Sequence, residues 1–115
     1  MTALDAQAWT TVCRFDVLTA ERGVAALLGD RQVAVFRTFD GALYAVDNTD
    51  PFSGAAVLSR GIVGDRAGEP TVASPLHKQV FFLSTGRCLD DEAVALSTYP
   101  IRLRDGLVEV TVGGA

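Results

Sequence analysis

Ile101-Arg102-Leu103-Arg104-Asp105-Gly106-Leu107-Val108-Glu109-Val110-Thr111-Val112 alternates apolar and polar residues on both sides of an Asp-Gly pair. A pleated strand sends successive side chains to opposite faces. Ile101 and Leu103 therefore share one face, with Arg102 and Arg104 on the other. Beyond the turn at Asp105-Gly106, Val108, Val110 and Val112 line one face opposite Glu109 and Thr111. This period of two residues predicts a hairpin and sets the reading for the rest of the chain.

Working toward the N-terminus, the same logic predicts strands over Gln79 to Leu83, Thr71 to Ser74, Leu43 to Val46, Gln32 to Arg37, Val24 to Leu28 and Trp9 to Cys13. Gly29-Asp30 and Asp40-Gly41 supply tight turns between them. Asp16 to Glu21 is expected to form one short helical turn before Gly23, and no window carries a helical period longer than about two turns. Many short strands separated by Gly, Asp and Pro predict an all-β sandwich or small barrel. A length of 115 residues suits a single domain over 1–115 with its core at about 9–112. Residues 47–70 break the rhythm, being rich in Gly and Pro and poor in strand signal. The apolar Phe52, Val57, Leu58, Ile62 and Val63 predict an ordered, packed loop there. A second loop, Ser74 to Lys78, interrupts the later strands.

Apolar residues make up 49% of the chain, as a globular core requires. No stretch approaches the roughly 20 apolar residues that span a bilayer. Met1 to Trp9 contains neither a basic n-region nor an apolar h-region, so no secretory signal is expected and the cytoplasm is the default location. The formal net charge of -4 and the scattered Arg14, Arg22, Arg60, Arg66, Lys78 and Arg87 argue against nucleic-acid binding. Cys13 and Cys88 lie far apart with no C-x-x-C spacing, so they are expected to be two buried thiols in a reducing compartment.

Candidate chemistry is sparse. His77 is the single histidine, and a lone loop imidazole is expected to bond backbone or to face a partner. Asp47 and Asp50 resemble a carboxylate pair, but Asp-rich turns chiefly cap backbone N–H groups. Ser53 and Ser74 lack the G-x-S-x-G elbow of a serine nucleophile. The glycines from Gly61 to Gly68 fit no phosphate-binding spacing and are expected to form turns. Trp9 is either core or a docking anchor.

Asn48-Thr49-Asp50-Pro51-Phe52-Ser53-Gly54-Ala55 resembles the first cluster-binding loop of Rieske iron–sulfur domains, in which Cys-Pro-His is followed by a residue and Gly-Ala. Ser74-Pro75-Leu76-His77 resembles their second loop, Cys-Pro-x-His, and Phe82 to Cys88 is similar to the Phe-x-x-x-Thr-Gly stretch that follows. The resemblance runs from about Val12 to Val112 and implies a Rieske-like β domain with these two loops at the cluster position. A Rieske centre takes two thiolates on one iron and two imidazoles on the other. The matching positions here are Asp50, Phe52, Ser74 and His77, of which only His77 retains the family's donor. Phe52 has no lone pair, and a serine hydroxyl is a hard, protonated replacement for thiolate. No cluster and no metal site are expected.

Asp50 to Ala55, Leu58 to Asp65 and Ser74 to Gln79 together resemble one group within that family, the small subunits of assimilatory NADH-dependent nitrite reductases. The resemblance implies a non-catalytic subunit that supports a large subunit. That large subunit is expected to carry siroheme, a 4Fe-4S centre and FAD, to take NADH, and to reduce nitrite to ammonia. In cluster-bearing relatives the loop tip faces the redox partner. Here Pro51, Phe52, Pro75 and Leu76 make the tip apolar, so Phe52, Leu76, His77, Lys78, Arg60 and Arg87 are candidate partner contacts. The competing readings are a Rieske-like binding or regulatory module of another reductase or oxygenase, an electron-transfer ferredoxin, and a mononuclear metal enzyme using Asp50 and His77.

Overall fold

The computed structural model describes residues 8–76 and 78–111. His77 and Val112 therefore lie outside the described residues. Among the described residues nine strands run in chain order: β1 (Thr10–Arg14), β2 (Arg22–Leu28), β3 (Arg31–Arg37), β4 (Leu43–Asp47), β5 (Ile62–Arg66), β6 (Glu69–Ala73), β7 (Val80–Phe82), β8 (Ile101–Arg104) and β9 (Leu107–Val110). They form three three-stranded antiparallel sheets, ordered β1-β9-β8, β2-β3-β4 and β5-β6-β7. No described helix is long and apolar enough to cross a membrane.

The C-terminal hairpin pairs Ile101 with Val110 and Leu103 with Val108. Asp105 and Gly106 both adopt positive φ, at 53° and 79°, the geometry of a two-residue turn matched to strand twist. Val108 and Val110 are fully buried on one face, whereas Leu103 is half exposed. β1 adds to the other edge of β9, with its register shifted between Thr11 and Cys13. Trp9, left open between core and docking anchor, lies 4.1 Å beneath the Arg102 guanidinium, which also holds Glu109 at 2.6 Å. The contact is a cation–π pair.

β3 organises the interior. Val33, Ala34, Val35 and Phe36 are each 0% exposed, and their alternation divides them between two cores. Ala34 and Phe36 face Val46, Leu58, Val72, Phe81, Leu83 and Leu96. Val33 and Val35 face Leu18, Leu28, Ala45, Tyr99, Val108 and Val110. Each fully buried Val, Leu or Phe contributes about 1.5–3 kcal/mol of transfer free energy.

Three expectations need correction. Residues 47–70 are not one long loop: a 3-10 turn covers Leu58–Arg60, β5 covers Ile62–Arg66, and β6 already begins at Glu69. The strand was hidden because its turn is Ala67-Gly68 instead of an Asn-Gly or Asp-Gly pair. Both residues nevertheless take positive φ, 54° and 90°, and close a hairpin that pairs Ile62 with Ala73 and Val63 with Val72. Gly64 thus sits inside a strand. The early helical turn falls at Phe15–Val17, before the expected Asp16 to Glu21, and Glu21 itself takes φ 65°. Finally, Cys88 is buried in the first core but Cys13 is only half buried, because β1 is an edge strand. The burial it does have raises its thiol pKa, which makes it a poorer nucleophile.

Candidate functional site

The first loop leaves β4 after Asp47, and the second leaves β6 after Ala73. Each is closed by its own backbone. In the first, the Asp50 N–H donates to Ala55 O at 2.8 Å and the Gly54 N–H to Asp50 O at 2.7 Å. In the second, the Ser74 N–H donates to Gln79 O at 2.9 Å and the Lys78 N–H to Ser74 O at 3.0 Å. Asn48, 2% exposed, anchors the outgoing chain: its Oδ1 accepts the Ser59 N–H at 2.7 Å.

A side-chain bond joins the loops. The Ser74 hydroxyl donates to Asp50 Oδ2 at 2.5 Å, and Asp50 Oδ1 accepts the Phe52 N–H at 2.8 Å. Asp50 is 0% and Ser74 1% exposed. A buried carboxylate is costly unless hydrogen bonds compensate it, and O–H···O⁻ bonds of this length are among the strong ones. Ser74 Oγ also takes the Leu76 N–H at 3.3 Å, which orients the second loop's tip. The Phe52 ring lies over the loops' floor, 6.2 Å from the fully buried Phe81 ring and tilted by 44°.

These residues do not fit an iron–sulfur cluster. At the two positions matched to thiolates stand a carboxylate and a hydroxyl bonded to one another, so neither directs a soft donor into a shared space. At a position matched to imidazole, Phe52 fills the volume with hydrocarbon. Among the described residues, no three His, Cys, Asp or Glu side chains converge in a way that suits a metal ion.

Asp47 and Asp50 bond different partners. Asp47 turns the other way, its Oδ2 accepting the Ser97 N–H at 3.1 Å and its Oδ1 accepting the Tyr99 hydroxyl. Arg31 donates to that same hydroxyl at 3.1 Å. Burial first, then the bond to Asp47, raises the Tyr99 pKa. Ser53, the other candidate nucleophile, accepts the Ala55 N–H at 3.2 Å and serves its own turn.

The apolar tip is present. Pro51 is exposed and Pro75 half buried, while Phe52 and Leu76 are 37% and 49% exposed. Lys78 is exposed beside them. Arg60 and Arg87 are both exposed; Arg60 lines a depression with Glu21 and Ile62, and Arg87 lines another with Glu69 and Thr85. Sequence reasoning passed over Asp90, Asp91 and Glu92. The Asp90 carboxylate accepts the Val80 N–H at 2.9 Å, at the point where the second loop rejoins the sheet. The available signal was that Asp90-Asp91-Glu92 is the chain's single run of three consecutive acidic residues.

The Rieske-like [2Fe-2S] domain family matches residues 8–111. Over 103 residues the chain is 46% identical to the nitrite reductase (NADH) small subunit of Escherichia coli K12, covering 89% of this chain and 95% of that protein. A crystal structure described as an NADH-dependent nitrite reductase small subunit from Mycobacterium tuberculosis aligns with a TM-score of 0.89 at 54% identity, over 92% of this chain and 96% of that one. A segment of the nitrite reductase [NAD(P)H] large subunit of Klebsiella oxytoca is 44% identical over 108 residues, which is 94% of this chain and 11% of that protein.

Proposed function

The chain belongs to the Rieske-like [2Fe-2S] domain family, and from that membership together with its likeness to nitrite reductase small subunits we propose that it is the small subunit of an NADH-dependent assimilatory nitrite reductase. It acts in the cytoplasm as one domain, carries no cluster, and has no active site of its own. Its partner is the large subunit, where NADH is oxidised and nitrite is reduced to ammonia. The siroheme, 4Fe-4S centre and FAD implied by the resemblance belong to that partner, since a multi-electron reduction needs cofactors that these side chains do not hold.

The observation that carries the cluster-free reading is the buried Ser74–Asp50 hydrogen bond. It spans the two loops where a cluster would otherwise bridge them, and so keeps the tip folded without metal. The tip, with Phe52, Leu76 and Lys78, is the docking surface; an apolar centre with a charged rim has the anatomy of a protein interface. The occurrence of a similar segment within a Klebsiella oxytoca large subunit supports a lasting association, because a covalent link keeps two parts at high effective concentration.

The purified large subunit, assayed for nitrite-dependent NADH oxidation with and without this chain, tests the reading. The chain is expected to co-elute with the large subunit and to raise or prolong its activity. Absence of co-elution together with unchanged activity overturns the subunit assignment. A chain prepared under reducing conditions with iron and sulfide supplied is expected to stay colourless; about two irons per chain, the Rieske stoichiometry, overturns the cluster-free reading.

A further inference from the structure

We propose that the depression between the free edges of β1 and β2 takes an extended, uncharged segment of the large subunit as an added β-strand. The inference rests on the reading of the large subunit as partner and gives it a second contact, made by backbone instead of by the loop tip.

β1 has β9 on one side and β2 has β3 on one side, and no described strand pairs with either on the other side. Thr10 to Cys13 and Val24 to Leu28 nevertheless line one depression of about 380 Å³. The β2–β3 hairpin shows which backbone groups face it. The Gln32 C=O accepts the Asn48 N–H at 3.0 Å, so it points toward β4 and away from β2. Gln32 stands opposite Leu27, which makes theirs a non-hydrogen-bonded pair, and alternation makes Ala25 and Ala34 another. The N–H and C=O of Ala25 and Leu27 therefore point out of the sheet edge, and no described backbone group bonds them there. In β1, Val12 falls at the register shift and matches no residue of β9.

An open edge is a template for another strand, and soluble proteins guard such edges with charge, proline or a bulge. β1 has its register shift, but Val24 to Leu28 has no charged residue and no proline, and its pairing with β3 is unbroken. Val24 and Leu27 are 36% and 69% exposed, and no charged side chain lines the depression among the described residues. A strand that bonds both walls needs both of its own edges unpaired. Every described strand of a second copy already has a neighbour, so such a copy bonds one wall at most. A lone extended segment bonds both and joins two three-stranded sheets into one. In the Klebsiella oxytoca protein the similar segment is part of a longer large-subunit chain, which meets the domain at its first residues, its last, or both. Those ends run in the paired strands β1 and β9, so large-subunit backbone arrives at the sheet whose free edge is β1.

The test follows amide hydrogen exchange in the unmodified chain alone and in complex with the large subunit. Exchange is expected to slow in the complex at Ala25 and Leu27 and over Thr10 to Cys13. Ala25→Pro deletes an outward N–H without removing a bond to β3, and Leu27→Lys places a guarding charge on the edge. Each is expected to weaken binding of the large subunit about tenfold, the scale of one lost hydrogen bond, while the urea midpoint of Leu27→Lys stays unchanged. If Ala25→Pro does not fold, Leu27→Lys and the exchange pattern decide. Unchanged exchange at Ala25 and Leu27, or unweakened binding by Leu27→Lys, overturns the inference while leaving the subunit reading standing. Slowing that appears in the chain alone as its concentration rises assigns the depression to a second copy and also overturns it. If the unmodified chain does not bind, both readings fall.

Discussion

Asp50 and Ser74, 24 residues apart in sequence, meet through a 2.5 Å hydrogen bond inside the protein, and that contact fixes two loops against each other. Removing either partner leaves a buried polar group with less compensation. Ser74→Ala and Asp50→Ala are each expected to lower stability by about 1–3 kcal/mol. In a double-mutant cycle followed by urea unfolding, the pair is expected to couple by about 0.5–3 kcal/mol. Additive losses would mean that the bond does not clasp the loops.

The same geometry predicts what is needed to restore metal binding. Asp50→Cys/Phe52→His/Ser74→Cys supplies two thiolates and an imidazole, with His77 as the fourth donor in the family pattern. Anaerobic reconstitution of the triple variant is expected to give visible absorbance and about two irons per chain. Ser74→Cys by itself is expected to stay colourless. A triple variant that folds yet binds no iron would place the loops wrongly for a cluster.

Phe52 has two roles that substitution separates. Its ring packs against Phe81 while 37% of the residue remains exposed. Phe52→Leu is expected to keep most of the stability, whereas Phe52→Ala loses about 0.5–1.5 kcal/mol of ring contact in addition to buried area. Binding to the large subunit is expected to weaken by about 2 kcal/mol in Phe52→Ala, the scale of an interface hot spot. Unfolding curves and equilibrium binding measured on the same preparations distinguish a filler from a contact.

Tyr99 gives the fold an alkaline limit. Burial and the bond to Asp47 raise its pKa, so the folded state favours the neutral phenol. A raised pKa contributes stability that is complete below the unfolded value of about 10 and is lost as pH rises through the higher folded value. The urea midpoint is therefore expected to fall between about pH 9 and pH 12, the range around the tyrosine pKa. Tyr99→Phe is expected to be less stable at neutral pH, because Asp47 and Arg31 lose a partner, and to show a shallower alkaline decline. An equally steep decline in the variant would assign the effect to another group.

Gly86 cannot be replaced without moving its neighbours. It takes φ 80°, and a Cβ there would stand 2.1 Å from Leu96 O, whose own N–H donates to Gly86 O at 2.8 Å. Gly86→Ala is expected to cost more than about 2 kcal/mol through strain plus collision, measured as a lowered melting temperature. A loss below 1 kcal/mol would mean that the 94–96 segment yields freely.

Most of the strand pattern was legible because alternation is a local property. Ile101 to Val110 could be read from side-chain polarity alone, and the Gly-Asp and Asp-Gly turns marked the hairpins. β5 was missed because Ala67-Gly68 carries no polar turn signature, and because Gly64 and Asp65 interrupt its apolar run. At the site, residue types told which donors were lost but not what replaced them. The Ser74–Asp50 bond is a long-range contact, and nothing in either loop's own sequence announces its partner. The acidic run is tied to the end of the second loop through Val80, whose N–H donates to the Asp90 carboxylate and whose C=O accepts the Leu89 N–H.

β3 lies between two separate interiors, with Phe36 turned to one and Val35 to the other. The residues beneath the loops, Phe81 and Leu58 among them, belong to the first, and Val108, Val110 and Tyr99 to the second. One strand thus works as a partition wall. A substitution confined to the far compartment is therefore expected to disturb its own neighbours before it reaches the end that carries the loops.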